Sequence, residues 1–345
     1  MKKHPKRLIA LVVLALILIG STIPVLASGQ RTTPAQGNSV ILVKDSKGNL
    51  NAKKPAKNKL GFTYYNDASD YTGFIKYDGK TYYVRKGKAD TNYTGLVKKG
   101  SSRVLVSKGV YDSTKNGWYH KKGSTWLINN GKVVEPTGNK VIYLTFDDGP
   151  GPYTSQLLDV LKKNHVKATF FVTAQYGKNR GCIKRAYNEG NSIAVHTYSH
   201  NYANIYSSTD AYWNDFNKMN QVIKDQTGTT STLFRFPGGS SNTVSRSYSK
   251  GVMTRLSKQA AEKGYVYFDW NVVSGDAGQT TSSNGVYSNI TRGVKNHSRS
   301  VVLCHDIKPY TVNAMDKVIK WGLKNGYTFL PLNTESYTAH QSIAN

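Results

Sequence analysis

Cysteine is nearly absent from this 345-residue chain, which has only Cys182 and Cys304. Two thiols cannot build a disulfide-stapled scaffold or a Cys-based zinc site. A single bridge is the most they allow, and they read as two buried free thiols. Acidic residues are scarce as well. Asp and Glu number 20 against 47 Lys and Arg, for a formal charge of +27. The excess is spread along the chain, which suits a polyanionic partner. No segment has the form of a dinucleotide or phosphate loop, which weakens the open-sheet nucleotide folds. Long apolar runs are also missing beyond the N-terminus. There, basic Lys2, Lys3, Lys6 and Arg7 precede the uncharged run Leu8 to Ile19, then Pro24 and Val25-Leu26-Ala27-Ser28. A basic start, a short apolar stretch and small residues near a cut site read as a secretory signal over 1–27. The run is short against the roughly 20 residues of a spanning helix; counted on through Leu26, an uncleaved anchor stays open. Either way the remainder is expected outside the cell, secreted or held at the wall or membrane. Anionic wall polymers are then better partners than nucleic acid.

From 28 to 60 the chain is rich in Lys, Asn, Pro, Gly and Ala and reads mostly as linker, with one apolar cluster at Val40 to Val43. From 61 to 135 it turns to Tyr, Gly and Lys, and it repeats. Tyr71-Thr72-Gly73-Phe74-Ile75-Lys76 returns 22 residues later as Tyr93-Thr94-Gly95-Leu96-Val97-Lys98. The same shift carries Lys86-Gly87 onto Lys108-Gly109, and twice that shift carries Gly87-Lys88 onto Gly131-Lys132. About three degenerate units are predicted, each a β-hairpin, with Asp78-Gly79 as a turn dipeptide. Exposed aromatics on stacked hairpins suit sugar rings; alternatively they pack on one another in a spacer. These units resemble the aromatic-and-glycine wall-binding repeats of Gram-positive surface proteins.

From Lys140 short β-prone runs alternate with helical ones. Strands are predicted at Val141–Phe146, Ala168–Val172, Ser192–Val195, Leu233–Phe236, Tyr265–Trp270, Val301–Leu303 and Tyr327–Leu330. The alternation implies parallel strands and an α/β architecture, barrel or open sheet. Ionisable residues lie at or just past the ends of five of these runs: Asp147 and Asp148; His196, with His200 beyond; Arg235; Asp269; and His305. Parallel barrels place their sites at that end of the strands. Two histidines four apart with one carboxylate form the His-His-Asp set of a catalytic metal site. Adjacent aspartates diverge, so one can ligate while the other serves as base. An arginine before Pro-Gly-Gly can hold a buried aspartate ionised, and the glycines let backbone N–H groups approach an oxyanion.

Thr145-Phe146-Asp147-Asp148-Gly149, His196-Thr197-Tyr198-Ser199-His200, Arg235-Phe236-Pro237-Gly238, Asp269-Trp270 and Leu303-Cys304-His305 occur in that order. Together they resemble the five motifs of the NodB-type polysaccharide deacetylases, carbohydrate esterase family 4, over about 140 to 335. The resemblance implies a distorted (β/α) barrel preceded by the small all-β repeat module. It implies that Asp148, His196 and His200 hold a divalent metal, most often Zn2+, with Co2+ or another ion as alternatives. Asp147 would be the general base that activates water, Arg235 its tether, His305 the acid that protonates the departing amine, and Asp269 the residue that tunes His305. Leu303 and Trp270 would line an acetyl pocket and the Gly238 N–H would face the oxyanion. The expected reaction is hydrolysis of N-acetyl groups from a wall polysaccharide, with peptidoglycan N-acetylglucosamine as the first expected substrate. O-acetyl ester hydrolysis on xylan and a non-catalytic wall-binding role are the alternatives.

Overall fold

The computed structural model describes residues 40–134 and 140–345. The signal or anchor expected at 1–27 lies outside the described residues. The chain divides into two compact units. One runs to Tyr93 and takes in Lys108–Tyr111; the other comprises Thr94–Ser107 and Asp112–Asn345.

The strands among the described residues of the first unit all pair antiparallel. The stretch expected as linker is not one: strands Ile41–Lys44 and Leu50–Lys57 pair in register Ile41↔Lys53 to Lys44↔Leu50. The lysine-rich composition hid a strand whose alternate small residue, Ala52, is buried with Leu42, Ile75 and Val84. Asp45 closes the turn by accepting the N–H groups of Lys47 and Asn49. The hairpin Gly73–Tyr77 to Lys80–Arg85 turns at Asp78-Gly79, both at positive φ (48° and 71°), as a two-residue hairpin loop requires.

The sequence repeat is a backbone repeat. Gly87 N donates to Tyr71 O, Gly109 N to Tyr93 O, and Gly131 N to Lys115 O, each pair 22 residues after the last. Lys86, Lys108 and Asn130 share φ of 48° to 49°. Glycine is required at the following positions: a Cβ on Gly87 or Gly109 would lie 2.7 Å from backbone atoms of Ser69 or of Asp90 and Thr91. Many aromatics pack on one another, as Phe74 on Tyr83 (5.5 Å between centroids) and Tyr83 on Tyr93 (5.1 Å).

In the second unit the last hairpin, Gly117–Lys121 with Ser124–Asn129, sits beneath a curled parallel sheet. The sheet strands are β1 (Val141–Asp147), β2 (Thr169–Val172), β3 (Ser192–Val195), β4 (Leu233–Phe234), β5 (Val266–Tyr267), β6 (Val272–Val273), β7 (Arg299–His305) and β8 (Thr328–Phe329). Their order is β5-β4-β3-β2-β1-β7-β6, with β8 beside the start of β1. This is the expected distorted barrel, open between β5 and β6. The sequence reading had seven strands; β6 was missed, because its two valines are separated from Trp270 by Asn271 alone.

β1 is buried from end to end, and pleating sorts its residues. Val141 and Tyr143 face the inside with Phe171, Phe268 and Val301. Ile142, Leu144 and Phe146 face the helices α1 (Thr154–Lys163), α2 (Gly181–Asn188), α3 (Tyr202–Ile205), α4 (Thr209–Thr227), α5 (Val252–Glu262), α6 (Ser283–Val294) and α7 (Pro309–Lys324). The hairpin turn Lys122-Gly123 meets the sheet's lower edge, where Ile193 N donates to Gly123 O and Thr232 N to Lys122 O, both at 3.1 Å. Trp118 lies against Gly190, and the His120 ring packs at a tilt on Tyr187, 4.7 Å between centroids. This hairpin therefore belongs with the barrel, not with a module ending at 135. The barrel unit also runs past 335: residues 338–345 bond to Asp269, Trp270, Ser245 and Thr254. Cys182 and Cys304 are both free, the first half-buried instead of fully buried.

Candidate active site

β1 and β7 run in parallel with Thr145 opposite Leu303 and Asp147 opposite His305. The two-residue period sends all four side chains to the barrel interior, at the C-terminal rim. Asp147 is 2% exposed. Its Oδ1 accepts from Arg235 Nη1 at 2.8 Å. Arg235 is fully buried and its remaining donors go to Thr145 Oγ1, Phe268 O and Asp269 O, with its guanidinium 4.2 Å from the Phe171 ring centroid. Burial pushes the Asp147 carboxyl above its usual range, while the Arg235 charge, then His305, pulls it back. The result is a buried carboxyl with strengthened proton affinity beside an ionising partner.

Asp148, His196 and His200 each turn one ligand atom to a common point, all within 4.8 Å of one another. His196 Nδ1 faces Arg235 O at 2.9 Å. A carbonyl only accepts, so Nδ1 carries the hydrogen and Nε2 presents its lone pair inward, as in metal-ligating histidines. Burial first, then the neighbouring His200, lowers the His196 pKa to about 3, which keeps it neutral. Asp148 Oδ1 is buried without a hydrogen-bond partner, 3.3 Å from His200 Nε2 and 3.6 Å from His196 Nε2. An orphaned carboxylate oxygen facing the Nε2 atoms of two imidazoles is costly unless a cation completes it. The donor set suits zinc or a similar divalent ion with open positions. Backbone strain gathers at the same place: Asp148, Thr197 and His200 have φ of 71°, 74° and 50°. Asp215 of α4 holds the strained loop, its Oδ1 accepting from Tyr198 N (2.5 Å) and Ser199 N (3.1 Å). The sequence reading missed this residue, whose place in a helix gives no local sign of the loop it caps.

The partner of His305 differs from the one expected. Asp269 does not bond to it. His305 Nδ1 meets Asp276 Oδ1 at 2.8 Å, and Asp276 Oδ2 accepts His305 N (2.8 Å) and Thr311 Oγ1 (2.7 Å). The physical reason lies in β6, which places Asp276 just past its end beside β7. Asp269 follows β5, on the far side of the opening. The signal available in sequence was a second aspartate after the Val-Val pair. Burial lowers the His305 pKa, but the Asp276 hydrogen bond and charge, with Asp147 and Asp148, outweigh it and raise it to about 9. His305 Nε2 points inward, 3.9 Å from Asp148 Oδ2.

Leu303 is partly exposed on the same face of β7 as His305. Trp270 packs its ring 5.5 Å from the Arg235 guanidinium carbon and against Gly239. Gly238 takes φ 78°, and a Cβ there would meet the Tyr202 hydroxyl at 2.8 Å. Tyr202 itself packs edge-on to His200 at 5.6 Å.

A family model described as polysaccharide deacetylase matches residues 134–255, and one described as choline-binding repeat matches 70–90. A peptidoglycan-N-acetylglucosamine deacetylase of Bacillus cereus is 32% identical over 57% of this chain and 71% of its own. Among solved structures, the catalytic domain of a peptidoglycan N-acetylglucosamine deacetylase from Eubacterium rectale is 50% identical. It covers 61% of this chain and 96% of that one with a TM-score of 0.60. A CE4 esterase from Streptococcus mutans is 30% identical, covering 56% and 87%, with a TM-score of 0.50. Their likeness and the ordered rim residues agree: the chain belongs to the polysaccharide deacetylase family and is an enzyme of that class.

Proposed function

We propose that the enzyme hydrolyses N-acetyl groups of a bacterial wall polysaccharide, with peptidoglycan N-acetylglucosamine as substrate, and does so with a divalent metal, zinc first among them. The observation that carries this is the pairing of two unlike groups across one small site. A buried base, Asp147 with Arg235, lies on one side, and a protonated acid, His305 with Asp276, on the other. The orphaned Asp148 oxygen and the Nε2 atoms of His196 and His200 lie between them. Names borne by the relatives point to peptidoglycan.

Asp148, His196 and His200 would hold the cation, which would supply Lewis-acid polarisation of the acyl oxygen and acidify a water. This chain's own residues do the rest. Asp147 has Oδ1 committed to Arg235, so Oδ2, which faces His196 Nε2 at 3.7 Å, receives the water's proton. The Gly238 N–H faces the developing oxyanion. His305 Nε2 gives its proton to the departing amine, and acetate leaves. Leu303 and Trp270 bound the acetyl methyl. An amine is left on the sugar, which becomes cationic.

The aromatic repeats and the basic surface would hold the enzyme to anionic wall polymers, and the N-terminal segment would export it. The test is acetate release from acetylated peptidoglycan, chitin oligomers and acetylxylan, with zinc, with chelator, and in Asp147→Asn. Chelator-sensitive release from the amides, lost in the variant, supports the reading. Release from acetylxylan alone replaces it with an ester hydrolase.

A further inference from the structure

Asp269 is fully buried, yet it touches neither His305 nor the ligand set. Its carboxylate is nevertheless saturated. Oδ1 accepts Ser240 N at 2.8 Å; Oδ2 accepts Ser240 Oγ at 2.5 Å and Gln341 N at 3.0 Å. Its backbone carbonyl accepts Arg235 Nη2 at 3.0 Å, and its N–H donates to Thr338 O at 3.1 Å.

Three parts of the molecule therefore meet at one residue. The first is the loop Pro237–Ser240, two glycines of which take left-handed φ of 78° and 80° with no side chain to fix them. The second is Arg235, which carries the base. The third is the segment 338–345, which bonds to Tyr267 O, Asp269 and Trp270 at the end of β5. Gln341 adds Nε2 to Trp270 O (3.0 Å) and Oε1 to Ser241 Oγ (2.5 Å), and His340 stacks on Tyr267 at 4.0 Å. The far end is tied by Asn345, through Oδ1 to Gly251 N and Nδ2 to Ser249 O.

We propose that Asp269 is a positioning residue, and that with Gln341 it makes the terminal segment part of the catalytic scaffold, fixing the Gly238–Ser240 loop and Arg235 against Asp147. A carboxylate is needed there because each of its oxygens accepts a backbone N–H, from Ser240 on one side and Gln341 on the other. An asparagine must turn its own NH2 toward one of them. The barrel opening leaves β5 without a neighbour on that side, so the segment replaces the missing strand in holding the rim. Since reacting groups misplaced by about 1 Å lose about 10²-fold in rate, the effect belongs in kcat. The kinetic part rests on the deacetylase reading above.

The experiment compares the full chain with Asp269→Asn, and with Ser240→Ala and Gln341→Ala, which each remove only side-chain bonds at this junction. Per folded, metal-loaded molecule, Asp269→Asn is expected to lose about 10²-fold in kcat with KM within a few-fold, and to bind zinc as the wild type does. Hydrogen exchange over 237–242 and 338–341 should quicken together, in Asp269→Asn most and in the other two less. Unchanged kcat per folded molecule in all three variants, or unchanged exchange in both segments, overturns the proposal. If Asp269→Asn does not fold, the other two variants carry the same comparison. A wild type that releases no acetate refutes the deacetylase reading and the kinetic role with it, while the exchange result still decides whether Asp269 couples the two segments.

Discussion

Asp276 Oδ1 accepts the Nδ1 hydrogen of His305 across 2.8 Å, so the imidazole's other nitrogen faces the site, 3.9 Å from Asp148 Oδ2. Asp276 sits in place by three donors, two of them from His305 itself and one from Thr311. Despite burial, those hydrogen bonds and the His305 charge hold its carboxyl below the usual range. Replacing it by Asn removes the charge and leaves a donor facing donors. Acetate release by Asp276→Asn should fall by about 10²- to 10⁴-fold, whereas Asp269→Asn leaves the His305 titration in place.

The same pair sets a pH dependence. In the proposed reaction His305 acts as imidazolium, and its pKa is raised from 6.5 to about 9. Turnover should hold as pH rises through neutrality and decline above about 9. In Asp276→Asn the decline should move toward 6.5, because the largest raising causes come from Asp276. A pH–rate profile of both proteins checks this; an unmoved limb would assign it to another group.

Metal affinity should depend on a residue that never touches the ion. Asp215 holds Tyr198 N and Ser199 N and so the loop between His196 and His200. Asp215→Ala should weaken zinc binding by about 10- to 100-fold, as loss of supporting hydrogen bonds does. His200→Ala should abolish it. Titration against a chromophoric chelator measures both without recourse to turnover.

Asp306 gives a stability prediction with a definite sign. Fully buried, its carboxyl is pushed from 3.8 to about 7, chiefly by burial, with Thr154 Oγ1 bonded to Oδ2 at 2.5 Å as the leading opposing effect. The folded state holds a proton that the unfolded chain has released. Its contribution is complete below about pH 4 and is lost as pH rises through 7, at up to about 1.4 kcal/mol per pH unit. Asp306→Asn, permanently neutral, should therefore raise Tm relative to wild type at pH 8 and not at pH 4. Thermal melts across that range decide it.

The hairpin Gly117–Asn129 should be needed by the barrel. A chain begun at Lys140 loses Trp118 from Gly190, His120 from Tyr187 and two backbone bonds at β3 and the start of β4. At about 3 kcal/mol for that burial, Tm should fall by about 6–12 °C against a chain begun at Thr94. Equal melting temperatures would make the hairpin an ornament of the fold.

The sequence by itself determined the parallel α/β pattern and the 22-residue hairpin repeat, because both are local. β1 is apolar at every position but its last few. Each Gly at 87, 109 and 131 is forced by a positive φ that the chain spells out. It also placed Asp147, Asp148, His196, Arg235 and His305 at strand ends, where a parallel sheet delivers them to one rim. The strands at Ile41–Lys44 and Leu50–Lys57 were hidden, since a lysine-rich strand that buries only alternate small residues looks like linker until its partner is known. What only the tertiary structure decided is which groups at the rim meet. Asp269 and Asp276 are seven residues apart and equally plausible on paper. The barrel opens between β5 and β6, and a two-residue strand carries Asp276 to β7 while Asp269 stays with Arg235 and the terminal segment. Hydrogen-bond partners depend on which strands lie side by side, and strand order is a property of the closed chain in space, not of any stretch of it.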